Sequence, residues 1–514
     1  MSENKTSFGD PYRPSYHFTI NKCGLPGDPN GAFFADGTYH LMYLYYNDSV
    51  SAYHWGHVSS KDLIRWKHHP DALTGYKGDR GAYSGGAFLD DDGTAYLTFW
   101  KFPSKEEGGD AGGIALARSL PPYDNWERIE PLAVECCRDT WGLADVSFDG
   151  EIRRVGCSDP SNIWKNGDYY YLQSGNLNVL IHEARELNMY PALCGDYTEL
   201  FRSRDLKSWE YVDRFYVNDH TDKTFPDTTE DDMCPSFLPL FDAKQNGKFT
   251  GKYLQLFLSH NKGAHYYVGE LDGERFIPQT HGRMSFSVCP WLDPEMWGRV
   301  HWEDVAFYAP EALVDNKNRQ IIWAWMRDNI ENDYQTYGWS GVFSLPRVVW
   351  LESDKLRMAP APELDKLQSA PYVPQISNDA SVSINNGDRF RLKATFDTTK
   401  GERFGFAVRE SNDSRVELYY DPIRHKLVFD IHGCGPYKNS FTEEAPLTLG
   451  GDEALELDIF VDASMVEVFA NESQAITRRI YPQDPDSALG VRLIGERDAV
   501  KAIVAYDMKP LKLI

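Results

Sequence analysis

Alternating apolar and polar positions dominate the chain, and long stretches with helical periodicity are scarce. Short runs rich in aromatic and β-branched residues are separated by Asp-Gly and Asn-Gly pairs, which are typical of tight hairpin turns. Successive side chains of a strand point to opposite faces of its sheet, so this alternation predicts antiparallel strands along the whole chain. The fold class is therefore expected to be all-β.

One pattern recurs five times: a short polar approach, often with proline, then a strand, a turn and an aromatic-rich strand. The five segments begin at Asp28, Tyr83, Asp159, Cys234 and Ala309. Within them Pro160, Pro235 and Pro310 follow one another at intervals of 75 residues. Such an interval fits one four-stranded blade with its loops, so residues 1–355 are predicted to form a five-bladed β-propeller.

The propeller prediction carries a consequence for three acidic positions. The first strand of each blade lines the central axis, and residues at the starts of these strands converge on one pocket. Asp28, Asp159 and an acid near Cys234 are therefore expected to meet there, although they are far apart in the sequence.

The character of the chain changes near residue 355. Residues 356–377 are rich in Pro and Ala and are interpreted as a linker. After them come about eight short alternating strands separated by short turns, a pattern typical of an antiparallel β-sandwich. Residues 378–514 are predicted to form this second domain, which is long enough to have its own core.

Charge and cysteine content exclude several classes of protein. Asp plus Glu is 77 against 53 Lys plus Arg, a net charge of −24, which argues against nucleic-acid and anionic-membrane binding. No apolar run is long enough to span a bilayer. The eight cysteines have no metal-ligand spacing, so no metal or other cofactor is predicted. The first residues lack an apolar signal region, so a cytoplasmic location is expected, although a trimmed secreted chain would look the same. The oligomeric state is not set by the sequence.

A series of motifs, taken together, resembles one enzyme family. They are YHFT from Tyr16, GDPNG from Gly27, WGHVSSKDLIRWKHHP from Trp55, YSGG from Tyr83, SDP from Ser158, MCPSFLPL from Met233, GWSGVFSLPR from Gly338 and LDIFVDASMVEVFANES from Leu457. In this order and over nearly the whole chain, they resemble glycoside hydrolase family 32, the invertase, inulinase and levanase group. The resemblance implies a five-bladed propeller, a C-terminal β-sandwich and a retaining glycosidase that acts on small carbohydrates.

The resemblance also implies three catalytic roles. Asp28 would be the nucleophile and Asp159 would stabilise the transition state; the alternative for both is an Asp-Pro turn residue. The family usually has the acid/base glutamate directly before Cys-Pro, where this chain has Met233. Glu230, Asp231 and Asp232 remain candidates for the acid/base, and Glu230 is favoured because a glutamate reaches further.

Further residues are candidates for substrate binding because of their positions in these motifs. They are Asn30, Trp55, Tyr83, Ser84, Asp232, Glu311 and Trp339. For Trp55 a place in the core is an equal alternative to stacking on a sugar. For Glu311 a structural hydrogen bond is an equal alternative to a place in the pocket.

The chain departs from the family pattern at several site positions. Gly27 stands where an asparagine usually precedes the nucleophile, and Leu25 stands where tryptophan is frequent. Ser158 replaces the arginine of the RDP motif, which is expected to change the pKa values of nearby acids and to open space. These departures suggest an altered substrate or leaving-group preference.

The leading functional hypothesis is a hydrolase that releases fructose from sucrose or β-fructo-oligosaccharides. A fructosyltransferase or fructan-cyclising enzyme on the same scaffold is the first alternative, since it would use the same acids. A non-catalytic carbohydrate-binding relative is the second, suggested by the missing arginine and the displaced glutamate.

Overall fold

The chain is built almost entirely of β-strands in the part that is described. The computed structural model describes residues 10–21, 26–75, 81–104, 109–137, 142–176, 193, 195–218, 229, 231–242, 247–260, 262–286, 305–327, 339–435 and 438–514. No helix among these residues is long and apolar enough to cross a membrane.

The first two blades follow the short N-terminal strand β1 (Thr19–Asn21). Blade 1 consists of β2 (Pro26–Ala35), β3 (Thr38–Asn47), β4 (Ala52–Ser60) and β5 (Arg65–Leu73). Blade 2 consists of β6 (Ala87–Leu89), β7 (Ala95–Lys101), β8 (Gly113–Ser119) and β9 (Glu127–Glu135). Asp36 and Gly37, between β2 and β3, have φ values of 49° and 74°, as the predicted Asp-Gly hairpin turn requires.

Blades 3 and 4 are separate four-stranded sheets. A hairpin of β10 (Leu143–Phe148) and β11 (Glu151–Gly156) precedes them. Blade 3 consists of β12 (Trp164–Asn166), β13 (Tyr169–Ser174), β14 (Asp196–Ser203) and β15 (Trp209–Asn218). Blade 4 consists of β16 (Met233–Asp242), β17 (Lys248–Ser259), β18 (Gly263–Asp272) and β19 (Arg275–Arg283).

Blade 5 closes the ring. It consists of β20 (Tyr308–Val314), β21 (Gln320–Met326), β22 (Trp339–Phe343), β23 (Arg347–Glu352) and β24 (Lys355–Pro360). The N-terminal strand β1 pairs antiparallel with β22, so the start of the chain completes the last blade. The predicted five-bladed propeller is confirmed, and the five recurring segments are the inner strand pairs of its blades.

The propeller extends slightly beyond the predicted boundary at residue 355. Strand β24 pairs along its whole length with β23, so that boundary falls inside a hairpin of blade 5. A 3-10 helix over Pro362–Leu367 follows directly and buries Leu364 and Leu367.

The C-terminal domain is a sandwich of two five-stranded antiparallel sheets. Its strands are β25 (Arg389–Phe396), β26 (Phe404–Glu410), β27 (Arg415–Asp421), β28 (Lys426–His432), β29 (Phe441–Pro446), β30 (Leu455–Asp462), β31 (Met465–Ala470), β32 (Gln474–Arg479), β33 (Gly490–Ile494) and β34 (Val500–Asp507). Every second residue of β25, from Phe390 to Phe396, is buried between the sheets, as the alternation predicts. A 3-10 helix over Arg497–Ala499 precedes β34.

The two domains are joined through a buried polar contact. His17, which precedes β1, binds Asp462 through Nδ1 at 2.9 Å and Glu467 through Nε2 at 3.2 Å. All three side chains are buried. The C-terminal strand β35 (Lys512–Leu513) then returns to the propeller and pairs with the outer strand of blade 1.

Candidate active site

Three residues at the starts of inner strands share an unusual backbone conformation. Asp159, Cys234 and Ala309 each precede a proline and have φ values of 43°, 46° and 44°. A positive φ is costly for a residue with a side chain and is rarer still before proline. The same strained turn therefore recurs in blades 3, 4 and 5. In blades 3 and 4 it presents the side chains of Asp159 and Cys234 to the axis.

The Cys234 thiol lies between the two predicted catalytic aspartates. Its sulfur is 4.0 Å from Oδ2 of Asp28 and 3.7 Å from Oδ2 of Asp159. Asp28 and Asp159 are 206 and 75 positions from Cys234 in the sequence, yet the three side chains meet at one point on the propeller axis. The convergence that the blade repeat predicts for Asp28 and Asp159 is what the structure shows.

Asp28 is held by side chains of its own motif and of blade 2. Ser84 Oγ donates a hydrogen bond to Asp28 Oδ2. Asn30 donates from Nδ2 to the carbonyl oxygen of Asp28 at 3.1 Å and accepts from the backbone N–H of Gly85 at 3.2 Å. Ser84 therefore acts on the carboxylate itself, whereas Asn30 fixes the backbone that carries it.

The pKa values of the two aspartates are raised by burial. Burial raises the pKa of Asp28 to about 6, against the opposing effects of the Ser84 hydrogen bond and of the charges of Arg327 and His260. Burial, followed by the negative charge of Asp28, raises the pKa of Asp159 to about 7. Asp28 is therefore the first of the pair to ionise, as a carboxylate nucleophile needs.

The thiol between them stays protonated. Burial and the two neighbouring carboxylates raise the pKa of Cys234 well above its ordinary value. A neutral S–H group is a weak hydrogen-bond donor, and here it faces two carboxylate oxygens. No feature of the sequence predicts that Cys234 contacts both aspartates; this contact is visible only in the structure.

The acidic run before Cys234 divides between two environments. Asp232 accepts hydrogen bonds from Tyr216 Oη at 2.5 Å and Thr229 Oγ1 at 2.6 Å, and its contacts lie between blades 3 and 4 instead of at Asp28. Asp231 binds His260, with 2.6 Å between its Oδ2 and Nδ1 of the ring. Glu230, the favoured acid/base, lies outside the described residues.

Two predicted binding residues have structural contacts instead of a place beside Asp28. Trp55 is fully buried and packs edge-on against Phe99, with 6.3 Å between ring centroids, so its position is in the core between blades 1 and 2. Glu311 accepts the backbone N–H of Ala32 at 2.7 Å and joins blade 5 to blade 1. Burial raises the pKa of Glu311 well above its ordinary value, and its observed contact is this structural hydrogen bond.

The remaining two aromatic candidates lie in different places. Trp339 donates from Nε1 to Asp10 at 2.9 Å, and Arg479 of the sandwich lies 5.5 Å from its ring, so it belongs to the domain interface. Tyr83 is half-buried next to Ser84, and its ring lies 4.4 Å from that of Tyr53. This ring also packs against Phe102 at 3.9 Å, so Tyr83 belongs to an aromatic cluster and is linked to Asp28 only through its sequence neighbour Ser84.

Two departures from the family pattern have a visible packing reason. A Cβ atom on Gly27 would lie 2.9 Å from Leu44 Cδ2, so the side chain of Leu44 occupies the space that a larger residue would need. Ser158 and Met233 are both buried, and the serine hydroxyl is 3.7 Å from the methionine sulfur. The two substituted positions are therefore in contact with each other.

Comparison with known proteins identifies the family. The family model described as Glycosyl hydrolases family 32 N-terminal domain matches residues 17–114 and 158–360, and the one described as Glycosyl hydrolases family 32 C terminal matches residues 363–507. The chain belongs to glycosyl hydrolase family 32. As a member of this family it is a glycosidase.

Relatives within family 32 match nearly the whole chain. A levanase from Bacillus subtilis is 26% identical over 541 residues, which cover 99% of this chain and 71% of the levanase. A sucrose-6-phosphate hydrolase from Zymomonas mobilis is 25% identical, over 96% of this chain and 90% of that enzyme. The crystal structure of fructan 1-exohydrolase IIa from Cichorium intybus shares the fold, with a TM-score of 0.72 at 18% identity over 98% of this chain and 99% of that one.

Proposed function

We propose that this family 32 glycosidase releases fructose from sucrose or short β-fructo-oligosaccharides with retention of configuration. The observation that supports this most directly is the approach of two carboxyl groups, those of Asp28 and Asp159, to within 4.0 Å of the same Cys234 sulfur. A retaining glycosidase needs one ionised carboxylate to attack the anomeric carbon, and Asp28, with the lower pKa of the pair, is the nucleophile.

Asp159 has a different role in this proposal. With a pKa of about 7 it ionises within the neutral range, and its carboxylate can then accept a hydrogen bond from a sugar hydroxyl. Such a hydrogen bond strengthens as positive charge develops on the sugar ring in the transition state. Ser84 and Asn30 support Asp28 in the same site.

The charge of the site favours a neutral sugar. The carboxyl groups of Asp28, Asp159 and Asp231 lie close together. The charges of Asp28 and Asp231 raise the pKa of Asp159, and they also raise the pKa of Tyr308. Arg327 and His260 supply the positive charges that act on Asp28. We therefore place sucrose ahead of sucrose 6-phosphate as a substrate of this chain, because a phosphate group would be repelled by the acids.

Product analysis tests the proposal. The purified protein is incubated with sucrose, sucrose 6-phosphate, 1-kestose, inulin and levan, and the products are separated by chromatography. Free fructose from sucrose and 1-kestose is expected, and Asp28→Asn should lose at least about a thousandfold in kcat/KM. Asp452→Asn, which changes an exposed aspartate of the sandwich, is the matched control and should keep full activity.

Two other results would change the assignment. Longer or cyclic fructosides in place of free fructose would make the chain a fructosyltransferase or a fructan-cyclising enzyme. A folded protein that releases nothing from any of the five substrates would contradict the proposed activity.

A further inference from the structure

A cavity of about 740 Å³ lies between blades 1 and 2. It is lined by the β2–β3 turn, by the β4–β5 turn and by Pro121, Pro122 and Tyr123 of blade 2. Strand β2 carries Asp28 near its start, whereas Ala35, at its end, lines the cavity. At about 3.3 Å per residue, this length of strand puts the cavity roughly 20 Å from the proposed nucleophile. The cavity is therefore separate from the catalytic site, and its volume is typical of a small-molecule site.

The imidazole of His40 lines this cavity and is enclosed by other rings. His40 is only 4% exposed. Its ring stacks on Phe33 with 4.6 Å between centroids and packs edge-on against Tyr123 at 5.2 Å. Its Nδ1 atom lies 2.9 Å from Nε2 of His57. Its other nitrogen, Nε2, has no hydrogen-bond partner among the residues that the structure describes, so Nε2 is the polar atom that the ring offers to the cavity.

The hydrogen bond between the two histidines determines which nitrogen of His40 carries the proton. Burial lowers the pKa of His40 to about 4 and the pKa of His57 well below its ordinary value, so both rings are neutral at neutral pH. Nδ1 of His57 is buried without a hydrogen-bond partner. Because a buried N–H group without an acceptor is rarer than an unpaired acceptor, the proton of His57 is on Nε2 and is donated to Nδ1 of His40. The proton of His40 is therefore on Nε2, where it is a hydrogen-bond donor for the cavity.

Two lysines of the same lining supply positive charge. Lys61 and Lys67 are both exposed, and neither ammonium group makes a hydrogen bond or an ion pair with a residue in the described part of the chain. Arg65 also lines the cavity, but its Nε donates to Asp62 at 2.8 Å. The other acid of the lining, Asp36, is exposed. Beside its imidazoles the lining thus has three cationic and two acidic side chains, a positive balance in a chain whose net charge is −24.

We propose that this cavity binds a phosphate monoester of a small polar molecule. The Nε2–H group of His40 and the ammonium groups of Lys61 and Lys67 donate hydrogen bonds to the phosphate oxygens. Inorganic phosphate fills only a fraction of about 740 Å³, so the rest of the cavity holds the organic part of the ester. The proposal is independent of the glycosidase activity, because the cavity shares no residue with the site around Asp28 and Asp159.

Isothermal titration calorimetry tests the proposal. The full chain, in a buffer without phosphate, is titrated with glucose 6-phosphate, with inorganic phosphate and with glucose. Glucose 6-phosphate should bind more tightly than inorganic phosphate, because it also fills the rest of the cavity. Glucose should bind at least about tenfold more weakly than its phosphate ester, because it cannot accept charge-assisted hydrogen bonds. Added sodium chloride should weaken the binding of the ester, since both lysines are exposed.

Two variants assign the binding to this cavity. The double variant Lys61→Gln with Lys67→Gln should bind glucose 6-phosphate about 10–100-fold more weakly, because it lacks two charged donors. His40→Asn keeps an acceptor near the position of Nδ1 but removes the Nε2–H group, and it should bind the ester about tenfold more weakly. The matched control is Lys207→Gln with Lys400→Gln, which removes two exposed lysines of blade 3 and the sandwich and should bind as the wild type does.

Several results would overturn the proposal. They are a wild type that does not bind glucose 6-phosphate, an unchanged affinity in the double lysine variant, and binding of inorganic phosphate as tight as that of the ester. If His40→Asn does not fold, the double lysine variant still decides, because both of its changes are at exposed positions. A wild type that binds the ester in this way but releases no fructose from any substrate would refute the proposed function and leave this proposal standing.

Discussion

The hydroxyl of Ser158 lies 3.7 Å from the sulfur of Met233, in a place where neither side chain reaches solvent. These are the positions at which the RDP and Glu-Cys-Pro motifs of family 32 are altered in this chain. A positive and a negative residue of the family pattern are therefore replaced here by a small polar and an apolar residue that touch. Because both positions are changed in this chain, neither the positive nor the negative charge of the family pattern is left buried here without the other.

A double-mutant cycle on this pair should reveal a strong coupling. Met233→Glu alone should lower the free energy of unfolding by about 2–4 kcal/mol, because it buries a carboxylate beside a serine hydroxyl. Adding Ser158→Arg should recover about 1–3 kcal/mol of that loss through a buried ion pair. Urea unfolding of the wild type, both single variants and the double variant measures the coupling. Simple additivity of the two single effects would show that the positions do not interact.

The architecture was predictable because the recurring segments, the alternation of apolar and polar positions and the turn residues all indicate the same fold. The recurring segments set the five blades, and the Asp-Gly pairs set the hairpins. The approach of Asp28 to Asp159 followed from the rule that inner strands begin at the axis. Ser84 begins the inner region of blade 2 and donates to Asp28, whereas its contact with substrate stays a prediction.

Side-chain direction limited the prediction of the rest of the site. Neighbouring residues of an extended segment point to opposite sides, so Asp231 and Asp232 cannot both face the same partner. Their local sequence does not distinguish them, and only the register with β17 sets Asp231 opposite His260. The sequence likewise does not tell on which face of a strand Trp55 and Trp339 lie, because aromatic residues favour strands on either face. Both side chains are buried in packed interiors.

The hydrogen bond from Ser84 sets the pKa of Asp28, the proposed nucleophile. It lowers the pKa of Asp28 against the raising effect of burial, so Ser84→Ala should raise this pKa further above 6. The acid limb of kcat/KM should move to higher pH, and activity at pH 6 should fall roughly 10–100-fold, as loss of a hydrogen bond to a charged group implies. A pH profile of sucrose hydrolysis checks this. Ser84→Thr keeps the hydroxyl and should leave the limb in place, whereas a limb that also stays in place in Ser84→Ala would show that the hydroxyl does not act on Asp28.

Asp159 is expected to cost stability at alkaline pH. Its pKa is raised to about 7 in the folded protein, from an ordinary value near 3.8, so the folded state holds the proton more tightly than the unfolded state. The stabilisation is complete below about pH 4 and is lost as the pH rises through 7. Asp159→Asn should therefore raise the free energy of unfolding by about 1–3 kcal/mol at pH 8 and change it little at pH 4, while activity is lost.

Urea unfolding at the two pH values measures this difference. Asp452→Asn, on an exposed residue of the sandwich, should change the unfolding free energy little at either pH. An Asp159→Asn variant that is less stable than the wild type at pH 8 would contradict the argument, because it would mean that the ionised carboxylate is well solvated or well paired.

The contact of His17 with Asp462 and Glu467 should make the docking of the two domains pH-dependent. Burial lowers the pKa of His17, but its hydrogen bonds to the two carboxylates outweigh this effect and raise the pKa above 6.5. Burial raises the pKa values of Asp462 and Glu467, but the hydrogen bond and charge of His17, together with backbone N–H donors, outweigh it and hold both below their ordinary values. The contribution of His17 is therefore complete below about pH 6.5 and is lost as the pH rises through its raised pKa. The contribution of the carboxylates is present above about pH 4.5 and is lost as the pH falls.

Replacing the histidine should remove the alkaline part of this dependence. His17→Leu leaves two buried carboxylates without their shared partner, and we expect it to lower the free energy of unfolding by about 3 kcal/mol at pH 6. The loss should be smaller at pH 9 than at pH 6, because the stabilisation from the imidazolium is lost as the pH rises through the raised pKa of His17. His425→Gln, an exposed change in the sandwich, serves as the control in urea unfolding at both pH values. A His17→Leu deficit that is the same at pH 6 and pH 9 would mean that the histidine acts by its shape alone, without a charge in the interface.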